Sequence, residues 1–207
     1  MPRNGQEVRK RLQWAALELF RDRGYEETTA AEIAAKAGVT ERTFFRHFPD
    51  KREVLFHGDA AFTEAVTTAV RNAPRTLGPW DTLFFAFDSV KQMFVENRPF
   101  TEPRQRVIAS SPALQERATA KTRSLTAAVA SALCERGLTV PQSNLAAQMG
   151  MATLSHGVSA WFNDSSIDLR VHIIRAFQEA RDLSSSNVAI PKGTGRTQRP
   201  RQKAKQT

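Results

Sequence analysis

The groups best suited to chemistry with an anion concentrate in the stretch 29–51, which holds Thr29, Thr40, Glu41, Arg42, Thr43, Phe45, Arg46, His47 and Lys51. Guanidinium forks pair with phosphate oxygens or with guanine O6 and N7, and hydroxyls, imidazoles and ammonium groups reach phosphate. That many Arg, His and Thr within two turns of a surface helix point to an anionic partner. Bond-making chemistry finds much less support. The four histidines, His47, His57, His156 and His172, include no pair at the H-E-x-x-H spacing of a helical metal site. Lys192-Gly193-Thr194-Gly195 lacks the glycine spacing and the Lys-Ser/Thr end of a phosphate loop. The single cysteine, Cys134, reads as a small buried hydrophobe. The expectation is a protein that is not an enzyme and needs neither cofactor nor metal.

These side chains must be positioned by helices. Over 7–23 apolar residues recur at Val8, Leu12, Ala15, Ala16, Leu19 and Phe20, the spacing of one buried stripe, and Gly24 stops the helix. Thr29 with Glu32 three residues on is a capping box for a second helix, 30–36, and Gly38 supplies the left-handed residue after it. Thr40 is placed to cap a third helix running to about residue 48, where Pro49 closes it. Two short helices joined through Gly38 make a helix-turn-helix. Ala34 fits at their crossing, while Ile33, Ala37, Val39, Phe44 and Phe48 are expected to close a core against Leu12, Ala16 and Phe20. Asp50 and Glu53 repeat the capping-box signal and predict a fourth helix through Val54, Leu55, Ala61, Phe62, Ala65 and Val66 that ends before Pro74. Further helices are expected over 80–96, 102–109, 113–135, 142–162 and 167–183. With no strand alternation in competition, the fold class is all-α with about nine helices.

Composition narrows the function classes. The 207 residues carry 30 Lys+Arg against 21 Asp+Glu, a net charge of +9. Six of those cations, Lys192, Arg196, Arg199, Arg201, Lys203 and Lys205, stand in a terminal segment that has no acid and few apolar residues. Such a segment buries too little to offset its ordering entropy and reads as disordered: either a phosphate-attracting arm or a solvated terminus. No apolar run reaches the ~18 residues of a membrane span, and no signal peptide is evident, so a cytoplasmic protein without membrane contact is expected. The domain reading is 1–50 for the helix-turn-helix unit, 51–184 for a larger helical domain, and 185–207 for the basic tail.

The run Thr29-x-x-x-Ile33-Ala34-x-x-Ala37-Gly38-Val39-Thr40-x-x-Thr43-Phe44-Phe45-Arg46-His47-Phe48-x-x-Lys51 resembles the DNA-binding domain of TetR-family transcriptional regulators. Upstream, Arg9, Leu12, Ala15, Ala16, Phe20 and Gly24 resemble that family's first helix. The resemblance covers about residues 7–57 and implies a homodimer on double-stranded operator DNA, usually a repressor, with a small-molecule inducer bound in the larger domain. Carried over by residue, it implies that Thr29, Thr43, His47 and Lys51 contact phosphates or orient the recognition helix, and that Glu41, Arg42 and Arg46 face base edges, Arg42 foremost. The Thr40 hydroxyl serves either its helix or the DNA. Phe45 stands where the family most often has Tyr, so a phenolic hydroxyl is replaced by a ring suited to a thymine methyl or a sugar edge.

In the larger domain the resemblance implies an inducer pocket, for which Trp80, Phe84, Phe87, Met93, Phe94, Gln148, Met149, Thr153 and His156 are candidates. An aromatic stripe at helical spacing is more often the mark of plain core. The last two helices carry Val158, Trp161, Ile167, Val171, Ile174 and Phe177, candidates for a four-helix dimer interface. A two-fold dimer calls for a near-palindromic operator with half-sites about one helical turn, ~34 Å, apart or a multiple of that. Two other readings stand beside it: an activator using the same motif, and a sequence-indifferent basic DNA-binding or architectural protein using the basic tail.

Overall fold

A computed structural model describes residues 3–185; the basic segment beyond lies outside the described residues. The described chain is built from eight α-helices and one 3-10 turn: α1 Arg3–Arg23, α2 Ala30–Lys36, α3 Glu41–His47, the turn Glu53–Leu55, α4 Asp59–Asn72, α5 Pro79–Ala109, α6 Pro112–Glu135, α7 Val140–Asn163 and α8 Leu169–Ser184. No strand is present among the described residues.

Local capping chemistry starts the short helices where expected. The Thr29 Oγ1 accepts the Glu32 amide at 3.2 Å while the Glu32 carboxylate accepts the Thr29 amide at 2.8 Å, closing the capping box of α2. Thr40 caps α3 by accepting the Thr43 amide at 3.3 Å. Between them Gly38 takes φ +68°, a conformation that costs a residue with a Cβ more than it costs glycine.

Two expectations for the helices fail, each for a visible reason. The fourth helix does not start at Asp50. Its carboxylate accepts the amides of Arg52 at 2.7 Å and Glu53 at 3.0 Å, but the Glu53 side chain bonds Arg117 instead of reaching back, and Gly58 at φ +106° breaks the chain before α4. The segments 80–96 and 102–109 are one helix, α5, which runs through Pro99 and Pro103. The carbonyls that lose a donor belong to Val95 and Pro99, both at exposed positions, so neither residue is buried in the core. Arg98 and Arg106 clasp Glu102 at 3.1 Å each, bracing that stretch. The described residues therefore hold eight α-helices, not nine.

Two apolar cores result. The first joins Leu12, Ala16 and Phe20 of α1 to Ile33, Ala34, Phe44 and Phe48, as the sequence pattern anticipates. It continues past residue 50 through Val54, Leu55 and Phe56 and takes in Val107 of α5 and Leu114 of α6, so the N-terminal unit is rooted in the larger one. The second core lies among α4 to α8, around Val66, Leu83, Phe87, Leu133, Leu154 and Ile173. At Gly157 a Cβ would stand 3.2 Å from the His172 carbonyl oxygen, so this glycine sets the close approach of α7 to α8. No described helix is long and apolar enough to cross a membrane.

Candidate functional site

Helix α3 buries one face and presents the other. Phe44 is fully buried and Phe48 nearly so, whereas Glu41, Arg42, Phe45 and Arg46 are exposed. Neither Arg42 nor Arg46 has a side-chain hydrogen bond or an ion pair among the described residues, and at i, i+4 they share one face. Phe45 is 50% exposed with its ring edge-on to Phe44 at 5.4 Å, held in place from beneath. Two guanidinium groups, a carboxylate and an apolar ring on one short rigid helix have the make-up of a major-groove reader.

The other sequence candidates sit around this face in different capacities. Thr29 and Thr40 have hydroxyls engaged in their caps; the Thr40 and Thr43 hydroxyl oxygens lie 3.0 Å apart. Lys51 turns inward. Its ammonium donates to the carbonyls of Tyr25 at 2.8 Å, Thr28 at 3.1 Å and Glu26 at 3.3 Å, and stands 4.2 Å from the Tyr25 ring centroid. All three donors are spent on the loop between α1 and α2, so of its two anticipated roles Lys51 is placed for orienting the helices. Replacing it by Met is expected to strand those carbonyls and lower stability by ~1–3 kcal/mol, measurable as a shifted urea midpoint. Arg11, absent from the sequence candidates, has a guanidinium nitrogen 3.7 Å from where a Cβ on Gly38 would stand, which puts a cation from α1 beside the turn.

His47 is half-buried with its Nε2 shielded and without a partner. Burial, helped by the charges of Arg9 and Arg46, holds its imidazole below the ordinary ~6.5. The unfolded chain therefore binds the proton first, so the contribution to stability is present above ~pH 6.5 and lost as pH falls through the depressed value. Urea midpoints are expected to fall between pH 7.5 and 5.5, and His47→Asn is expected to flatten that slope.

A cavity of about 920 Å³ opens between the two units, walled by α1, the turn after α3, α4, α5 and α6. Met93 and Phe94 line it; the remaining ligand candidates do not. Trp80, Phe84 and Phe87 ring Phe177 at 4.7, 5.5 and 6.1 Å and form core, because their side of α5 faces α8. The Thr153 hydroxyl is buried and donates to the Met149 carbonyl at 2.8 Å, Gln148 lies in a separate groove with Thr122 and Asn144, and His156 is at the surface 3.4 Å from Glu179. The cavity instead takes Trp14 from α1, whose ring meets Phe100 of α5 edge-on at 5.5 Å, together with Asp59 and Arg104. Trp14 lies off the apolar stripe of α1, the one hint in the sequence that it covers something outside its own unit.

Of the interface candidates, Val158, Trp161 and Phe177 are buried in the chain's own core, Trp161 also beneath the Arg98 guanidinium at 4.7 Å. Burial within one chain removes these three from any contact surface. Ile167 and Ile174 are half-buried and Val171 is exposed, leaving an outward strip on α8 and the segment before it.

A recognition helix standing off a three-helix core, followed by a larger helical unit, defines a helix-turn-helix DNA-binding transcriptional regulator. The chain belongs to the TetR family: the model of bacterial regulatory proteins, tetR family, matches residues 14–57, and that of the MftR C-terminal domain matches residues 77–183. It is 41% identical over 83 residues to the HTH-type transcriptional regulator TcmR of Streptomyces glaucescens, a match covering 40% of this chain and 37% of that one. It is 37% identical over 76 residues to the HTH-type transcriptional activator FasR of Mycolicibacterium smegmatis, covering 37% and 34%. These matches thus span well under half of either relative. A TetR-family regulator from Syntrophomonas wolfei superposes with a TM-score of 0.63 at 18% identity over 89% of this chain and 98% of that one. The SmeT–triclosan complex gives 0.60 at 20% over 94% and 99%, and Thermus thermophilus FadR with lauroyl-CoA gives 0.53 at 25% over 90% and 100%.

Proposed function

We propose that this regulator is a homodimeric repressor that holds a near-palindromic operator through two copies of α3 and is released when a small molecule fills the cavity between its two units. The observation that carries the reading is shared packing. The core beneath α3 takes in Val107 and Leu114 from the larger unit, and one wall of the cavity is α1 itself, through Lys10, Gln13 and Trp14. A ligand there touches the reading head directly. Its volume lies within the ~300–1,000 Å³ of small-molecule sites. Two solved structures of similar fold hold small molecules, triclosan in SmeT and lauroyl-CoA in Thermus thermophilus FadR.

In this reading Arg42 and Arg46 pair with base edges while Thr29, Thr43, His47 and Arg11 lie against phosphates. The strip of Ile167, Val171 and Ile174 meets its two-fold copy. The ligand shifts the dimer only by its differential affinity for the two conformations, a coupling of ~1–3 kcal/mol, or ~5- to 150-fold in operator affinity. Protein captured on genomic fragments at ~150 mM salt, where non-specific phosphate binding is weak, is expected to recover one near-palindrome occupied by a dimer. Recovery of no shared sequence would favour the architectural reading. An activator would use the same motif, and FasR is named as one; the sign of a reporter response driven from the recovered operator separates the two.

A further inference from the structure

The charged groups on the cavity lining are unevenly paired in a way that selects a ligand. Arg104 of α5 lies with its guanidinium carbon 5.0 Å from the Phe56 ring centroid and its nearest nitrogen 3.8 Å from the Asp59 carboxylate, too far for a hydrogen bond. The Arg104 Nε and the Asp59 Oδ2 are both shielded from solvent and neither has a partner. Two opposite charges, with side chains 20% and 31% exposed, are thus partly withdrawn from water without completing the bonds that would offset the loss. On the same lining, Arg117 hydrogen-bonds Glu53, and the Lys121 ammonium lies 3.4 Å from the same carboxylate. The lining carries the cations Lys10, Arg104, Arg117 and Lys121 against the acids Asp59 and Glu96. The same lining carries the apolar side chains of Trp14, Phe62, Met93, Phe94 and Phe100.

Resting on the reading of this cavity as the effector site, we infer that the effector is an amphipathic organic acid, with its carboxylate seated on Arg104 and its apolar body among the rings of α1, α4 and α5. A carboxylate offers the two parallel acceptors that the terminal nitrogens of the guanidinium take, where Asp59 stands too far to bond. A neutral ligand leaves the guanidinium without an anion at bonding distance, and a cationic ligand adds to a surplus of positive charge. Asp59 is the first residue of α4, directly after Gly58, so a ligand carboxylate that replaces Asp59 as the partner of Arg104 acts at the joint between the two units.

The test is calorimetric titration of the full chain with biphenyl-4-carboxylate and decanoate, each beside its primary amide, which keeps the shape and removes the charge. The acids are expected to bind at least ~10-fold more tightly than their amides. Arg104→Gln is expected to weaken the acids ~10- to 100-fold and leave the amides unchanged, and Arg104→Lys, which keeps the charge without the fork, to fall between. Acids and amides binding alike, acids indifferent to Arg104→Gln, or no acid bound to the wild type would each overturn the assignment. Operator affinity measured with each compound separates the two claims. An amide that binds as tightly as its acid and still releases DNA would overturn the charge class and keep the effector cavity. An acid bound through Arg104 that leaves operator affinity unchanged would keep the site and remove its regulatory role.

Discussion

Replacing Arg42 by Ala is expected to weaken operator binding ~5- to 150-fold while leaving affinity for unrelated DNA within a factor of about three. The surroundings of the side chain set this expectation. Arg42 is exposed on the outer face of α3 with no side-chain partner among the described residues, so its removal leaves no buried group unpaired and costs the fold almost nothing. One bidentate pair with a base edge is worth ~1–3 kcal/mol of discrimination, which sets the range. Arg46, one turn on, is expected to act at a neighbouring base, and the two losses add to the extent that each reads its own base pair. A uniform loss on all DNA would instead mark Arg42 as a phosphate contact. Competition titrations of variant and wild type against operator and scrambled duplexes measure the difference.

Phe44→Ala is expected to lower stability by ~3–5 kcal/mol, read as a shifted denaturant midpoint with little change in slope. Phe44 is fully buried, its ring 5.6 Å from Phe48, and it closes the core shared by α1, α2, α3 and the ends of α5 and α6. A loss of that size takes a large part of a typical 5–15 kcal/mol total. The neighbouring Phe45→Ala, at a half-exposed site, is expected to stay within ~0.5 kcal/mol of wild type and to change DNA binding instead. Two adjacent phenylalanines, one structural and one placed for recognition, make a direct comparison in one helix.

What the sequence discloses here is what short range controls. The Thr29–Glu32 box, the Thr40 cap and the left-handed Gly38 depend on residues within four positions of one another, and the apolar spacing of α1 to α3 shows which side each helix buries. Spacing does not show what a buried face meets. Trp80, Phe84 and Phe87 form an aromatic stripe suited equally to a pocket or a core, and only the approach of Phe177 from α8 decides for core. The same holds for Val158 and Trp161, apolar enough for an interface yet covered by their own chain. Pro99 and Pro103 signal a helix break that does not occur, because the freed carbonyls are exposed and both flanks of α5 are anchored, one in each core. The cavity is the least legible feature. Trp14, Asp59, Arg104 and Lys121 come from four helices, and no local pattern links them.

The central claim, that α3 reads sequence and does not merely bind charge, is tested most directly by the ratio of affinities for the recovered operator and a scrambled duplex of equal length at ~150 mM salt. A ratio of at least ~10³ is expected, falling in Arg42→Ala. Equal affinities for the two duplexes, both collapsing steeply as salt rises, would contradict it and leave a protein held to DNA by phosphate contacts alone.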